Sequence, residues 1–283
     1  MCDQSNTRGD VYFISHGGPI TGDQKHSEPY KALQKIGQII NNNPPKGIII
    51  VSAHWEHCSP EGGVLINSNR TNPVIYDFYN FPKHLYELNF NSYFDEGLGN
   101  SVLQVLKDDN IKVDRENRGL DHGIWIPLRA MFGESSLIPL IQISLPDTSK
   151  SKPITTVKLG KSLSKLRNKG YTIIGSGQGV HNIRDLIQDR PMPYSKLFLQ
   201  QLTSSVNSTH PISSTINLLN SPLYKLAHPT NEHFYPIFIS LAAINLEKDI
   251  KHDIYTGIVD LKGFEVENQG LGWCLWRWTA NSS

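Results

Sequence analysis

The chain has 283 residues, with 27 Lys plus Arg against 26 Asp plus Glu, so neither its summed field nor any basic run would gather a phosphate backbone or an anionic lipid surface. Nucleic acid and membranes are disfavoured as partners, and no apolar run approaches the roughly 20 residues that a spanning helix needs. Cys2, Cys58 and Cys274 are odd in number and lack the close spacing of a zinc ribbon or redox pair, and the opening MCDQSNTRGD has no apolar signal-peptide core; reduced thiols in a cytoplasmic protein are the expectation.

Residues 1–10 read as a flexible N-terminus and 11–279 as one domain, because no linker splits the rest. Short apolar runs at 11–15, 47–53, 63–66, 138–144, 171–175 and 271–278 predict strands. Helical periodicity predicts helices over 29–41, 94–108, 124–132, 154–168, 194–206 and 232–244. This alternation indicates an α/β fold with a central mixed, largely parallel sheet flanked by helices. The serine- and threonine-rich segment 203–215, TSSVNSTHPISST, reads as a surface insertion or mobile flap.

Three strand candidates end in a histidine. His16 follows 11–15, His54 follows 47–53, and His181 follows Tyr171-Thr-Ile-Ile-Gly-Ser-Gly-Gln-Gly-Val. Ligands of open α/β sheets gather outside the carboxyl ends of the strands, so these rings share one rim. A single such histidine is ordinarily satisfied by a backbone carbonyl; three at equivalent positions need another account. His122, in Leu120-Asp121-His122-Gly123, precedes a helix for which Asp121 is a candidate N-cap. His233, in Pro229-Thr-Asn-Glu232-His233, falls in the first turn of the helix predicted over 232–244, with Thr230 or Asn231 as its cap.

Other motifs carry less. Gly175-Ser-Gly177-Gln-Gly179 has Val180 where a dinucleotide fingerprint needs its third glycine, and Leu159-Gly160-Lys161-Ser162 lacks the first glycine of a phosphate loop, Thr155 standing there. No HExxH and no G-x-S-x-G occur. His57 and Cys58 read as loop residues, and His26, His84, His210 and His252 as solvated. An imidazole-rich site with a nearby carboxylate suits zinc, iron, copper or nickel rather than magnesium or calcium. The residues by themselves therefore reach a mononuclear transition-metal enzyme.

Taken in order, Ser15-His16-Gly-Gly-Pro19, Val51-Ser-Ala-His54-Trp55, Leu120-Asp-His122-Gly-Ile-Trp125, Val180-His181-Asn182 and Pro229-Thr-Asn-Glu-His233 resemble the class III extradiol ring-cleavage dioxygenases, in their DOPA 4,5-dioxygenase-like branch. The resemblance implies a metal site at the carboxyl-end rim holding one divalent metal per chain, with Fe(II) expected for turnover and zinc expected to enter the same site. It also implies His16, His54 and His233 as ligands, His181 as a fourth ligand or a catalytic ring beside the metal, and His122 lining the substrate pocket. Because related enzymes use two histidines and a glutamate, Glu232 is a further ligand candidate. The substrates implied are a catechol and O₂, with a muconic semialdehyde as product. Such a reaction needs a base for a catechol proton and an acid for the later O–O cleavage, and histidine can serve as either. The serine- and threonine-rich segment and the terminal Trp273, Trp276 and Trp278 depart from the branch and are expected to alter the pocket mouth. Two rival readings use the same residues: a zinc hydrolase with a metal-bound water, and a non-enzymatic relative that binds a protein partner.

Overall fold

The computed structural model describes residues 8–59 and 62–281. Eight strands form one sheet among them: β1 (Val11–Ser15), β2 (Gly47–His57), β3 (Val64–Asn67), β4 (Val113–Glu116), β5 (Leu140–Pro146), β6 (Tyr171–Gly177), β7 (Asp249–Val259) and β8 (Leu271–Ala280), in the order β4-β3-β5-β2-β6-β1-β8-β7. The centre, β5-β2-β6-β1, is parallel. β8 adds antiparallel to β1, β7 to β8 and β3 to β5. The predicted mixed, largely parallel sheet is therefore correct. Its central strands are continuous apolar runs because both of their faces are covered, as in Ile48, Ile49, Ile50 and Val51, each at most 1% exposed.

The helices are α1 (Glu28–Asn42), α2 (Glu96–Asp108), α3 (His122–Phe132), α4 (Pro153–Arg167), α5 (Ile183–Ile187), α6 (Tyr194–Val206), α7 (Pro211–Asn217), α8 (Tyr224–Ala227) and α9 (Pro236–Ala243). α1 packs on α3, while α4 packs between α2 and α9. β6 has α3 against it from the first group and α4 and α9 from the second. α9 is buried throughout, which explains its lack of a polar stripe. Two glycines of β6 permit its close approach: a Cβ at Gly175 would stand 2.3 Å from the Pro236 carbonyl oxygen, and one at Gly177 2.4 Å from that of His233. The glycine-rich exit thus brings sheet and the His233 segment together.

Several expectations need correction. β4 and β7 were not predicted, because each is an edge strand with charged residues and no continuous apolar run. Segment 203–215 is not a loose insertion: α6 runs to Val206 and α7 starts at Pro211, with Pro211 and Thr215 buried. The helix expected over 232–244 starts at Pro236, whose fixed φ and missing N–H suit a first helical turn. Residues 231–235 form a turn in which the N–H groups of Phe234 and Tyr235 donate to the Asn231 carbonyl. Residues 8–10 are pinned rather than loose. Arg8 pairs with Asp249 at 2.9 Å, Gly9 N–H donates to the Arg167 carbonyl, and Asp10 pairs with Arg277 at 2.7 Å; residues 1–7 lie outside the described residues. Trp273, Trp276 and Trp278 are core residues of β8, at most 5% exposed, and only Trp273 comes near the histidine cluster, packed against Gly17. No described helix is long and apolar enough to cross a membrane.

Candidate functional site

His16 leaves β1 immediately after Ser15, and Gly17 beside it has φ +68°, a left-handed conformation that glycine adopts freely. The His16 ring is 1% exposed. Its Nδ1 lies 3.0 Å from Ser176 Oγ, and that hydroxyl donates to the Gly123 carbonyl at 2.5 Å. A serine hydroxyl has one proton. Having given it to Gly123, Ser176 can only accept from His16, so His16 carries its proton on Nδ1 and a lone pair on Nε2.

His54 does not follow β2, as expected, but sits within it. The ladder to β5 breaks between Ser52 and Glu56, and such an irregularity re-aims side chains locally. The His54 N–H donates to Ser52 Oγ, which donates in turn to Asp121 Oδ1 at 2.7 Å. Asp121 occupies the N-cap position of α3 but makes no side-chain cap. Its carboxylate turns into the core, taking hydrogen bonds from Ser52 and Gln142. Burial, helped by the charge of Asp77, pushes its carboxyl up to about 6.

His233 completes the cluster. His54 Nε2 is 3.0 Å from His16 Nε2 and 3.3 Å from His233 Nε2. The Nδ1 of His233 donates to Glu232 Oε1 at 3.0 Å, and the Nδ1 of His54 faces Asp77 Oδ2 at 3.6 Å. Burial first, and then the neighbouring imidazoles, depress all three rings: His16 and His233 well below the usual histidine range and His54 to about 3. Three neutral rings thus bring donor atoms within 4.8 Å of one another. The Nε2 lone pairs of His16 and His233 face this point, and a cation among the three nitrogens would be held by them. Nitrogens held at 2.0–2.1 Å around a four-coordinate metal stand about 3.3 Å apart, so the donor set fits such an ion in both chemistry and spacing.

The remaining predicted residues flank this group. His181 is not within the three-histidine set; its ring stacks on His233, with centroids 3.4 Å apart and planes within 8°. Burial, then His54 and His122, lower it to about 3. Glu232 faces the other nitrogen of His233 and also accepts from Thr230 Oγ1, so it orients that ring. His122 opens α3 with its ring centroid 4.0 Å from that of His54. His57 ends β2 rather than lying in a loop, and Cys58 is exposed. His26, His84, His210 and His252 are exposed, as expected.

Two residues of this region were not read from the sequence. Asp77 Oδ1 accepts both the backbone N–H and the Nδ1–H of His122, each at 2.9 Å. Burial raises this carboxyl, but the hydrogen bonds and charge of His122 and the charge of His54 outweigh it and leave it below the usual range. Arg118 lies over the Trp55 ring at 5.0 Å and donates to the His54 carbonyl. The only local signal for Asp77 was an acidic residue inside the aromatic run Tyr76-Asp77-Phe78-Tyr79.

Residues 10–260 match the family model for the catalytic LigB subunit of aromatic ring-opening dioxygenase. The chain belongs to the LigB family. It is 32% identical over 255 residues to a 4,5-DOPA dioxygenase extradiol of Beta vulgaris, covering 88% of this chain and 92% of the relative. It is also 31% identical to a 4,5-DOPA dioxygenase extradiol-like protein of Schizosaccharomyces pombe, covering 81% and 82%. An uncharacterised Escherichia coli protein of known crystal structure superposes with a TM-score of 0.69 at 24% identity, covering 96% of this chain and all of that one, which is a likeness of fold. As a LigB-family member the protein is a ring-opening dioxygenase of a metal-dependent class, and the three-histidine group is its metal-compatible site.

Proposed function

We propose that this protein cleaves a catechol, DOPA or a close relative, with O₂ in the extradiol manner to give a muconic semialdehyde, and that His16, His54 and His233 hold one divalent metal. The convergence of three Nε2 atoms, with two of the Nδ1 atoms hydrogen-bonded to acceptors and the third facing a carboxylate, carries this reading; the curated relatives named as DOPA dioxygenases support the substrate class. Bound there, Fe(II) supplies the open positions and the redox couple that the catechol oxygens and O₂ need.

The chain's own groups handle the protons. In this reading the rings of His122 and His181 flank the donor set on opposite partners, His122 against His54 and His181 against His233. A ring with a free lone pair can take a catechol proton and return one later. His181 is assigned that exchange, and His122 the hydrogen bond to a substrate oxygen. Phe78, edge-on to His122 at 5.8 Å, places an apolar ring beside it.

Anaerobic loading with Fe(II), followed by a catechol panel in air, tests the proposal. O₂ uptake with a yellow semialdehyde product is expected, and a zinc-loaded sample should be inert because zinc has no redox couple. Ester or phosphoester hydrolysis by the zinc form, with no O₂ uptake by the iron form, would overturn it in favour of a hydrolase.

A further inference from the structure

Asp77 stands on a loop, yet its place is tightly determined. Leu120 N–H donates to the Pro73 carbonyl at 2.8 Å, Ile75 N–H to the Leu120 carbonyl at 2.7 Å, and Trp125 Nε1 to the Ile75 carbonyl at 3.0 Å. These bonds clamp residues 73–77 along the start of α3. Phe78, 5% exposed, then packs on Trp125 and Tyr86. The carboxylate is thereby delivered to the first N–H of the helix, a donor with no partner inside the helix. Asp121, at the N-cap position, does not serve it.

The same oxygen that caps the helix also accepts His122 Nδ1–H. An ionised carboxylate is acceptor-only, so this contact puts a proton on Nδ1, and of the two neutral tautomers it selects the one with the lone pair on Nε2. His122 Nε2 has no protein partner among the described residues, and the side chain keeps 9% of its exposure. The other carboxylate oxygen faces Nδ1 of His54 at 3.6 Å. One carboxylate therefore spans a ring of the donor set and the ring next to it.

We propose that Asp77 is a positioning residue which holds His122 as the Nδ1–H tautomer and so presents Nε2 as a hydrogen-bond acceptor toward a catechol hydroxyl. The proposal rests on the dioxygenase reading for its consequence in turnover, but not for the tautomer itself. A capping role alone would need the backbone contact and would leave the ring's proton free to move.

The test uses zinc-loaded protein labelled with ¹⁵N-histidine, in which two-bond proton–nitrogen correlations distinguish Nδ1–H from Nε2–H, the His122 signals being those lost in His122→Gln. The wild type should show Nδ1–H at His122, and finding Nε2–H there would overturn the proposal without any variant. Asp77→Ala should retain stoichiometric zinc, shift His122 toward Nε2–H, and raise KM of the iron form for catechol about 10–100-fold with a smaller change in kcat. Asp77→Asn, whose amide oxygen can still accept, should restore the Nδ1–H pattern and bring KM most of the way back to the wild-type value. An unchanged tautomer and KM in Asp77→Ala would overturn the proposal. If the wild-type iron form consumed no O₂ with any catechol, the functional reading would fail while the tautomer result still decided whether Asp77 sets the proton on His122.

Discussion

Ser176 Oγ accepts a hydrogen bond from His16 Nδ1–H and donates its own to the Gly123 carbonyl, so a hydroxyl on β6 decides which nitrogen of the histidine after β1 faces the donor cluster. Ser52, its register partner on β2, supports the backbone of His54 in the same way. Two adjacent serines on neighbouring parallel strands thus aim two rings.

Ser176→Ala should therefore weaken metal binding without removing a donor. Loss of a group that orients a ligating histidine costs about 10–100-fold in affinity or activity. Zinc titration against a competing chelator should show a drop of that size, with one ion still bound at saturation. An unchanged affinity would mean that the hydroxyl does not govern the ring.

Removing donors should cost more. His16→Ala, His54→Ala and His233→Ala should each sharply weaken zinc binding measured by the same titration, and the His16→Ala, His54→Ala double variant should bind none stoichiometrically. Tight binding by the double variant would relocate the site.

The two flanking rings should separate in kinetics. His181→Gln should lower kcat with catechol at least about 10²-fold, the scale of a lost proton-transfer group, while metal is retained through the other three histidines. His122→Gln should keep full metal content and act mainly on KM. Steady-state O₂ uptake decides, and the reverse pattern would exchange the two roles.

Acid should destabilise the metal-free protein through its buried imidazoles. His54, His181 and His228 are each lowered to about 3, burial being the leading cause, whereas the unfolded chain protonates these rings near pH 6.5. Between those values the unfolded state binds more protons, so stability is fully present above about pH 6.5 and falls progressively as pH drops toward 3. Urea midpoints at pH 7.5, 5.5 and 4.5 should decline in that order, and a flat profile would contradict neutral burial of these rings.

Away from the site, Arg167 and Asp249 form a fully buried pair at 2.6 Å. Burial raises the Asp249 carboxyl, but hydrogen bonds from Arg167 and the Asn245 N–H, with the charges of Arg167 and Arg8, hold it below the usual range. Asp249→Ala leaves a guanidinium uncompensated and should cost about 3–5 kcal/mol in urea unfolding. In the wild type this stabilising contribution is present above about pH 3.8 and fades as pH falls through the lower folded value.

The central strands, the helices around them and the positions of His16 and His181 were legible in the sequence because buried parallel strands and amphipathic helices leave local periodicities. The ordered histidine motifs also pointed to a metal site. What required the tertiary structure was direction. Asp121 neighbours His122, yet its carboxylate points into the core toward Ser52 and Gln142, while Asp77, 45 residues earlier, takes both the helix N–H and the ring. His54 reaches the cluster from within β2 through a break in the ladder, and His233 reaches it from a turn ahead of α9 that two glycines of β6 allow to come close. Residue type and spacing are properties of the chain, whereas a hydrogen-bond partner, and with it the nitrogen that keeps its proton, depends on which segments the packing of sheet and helices brings face to face.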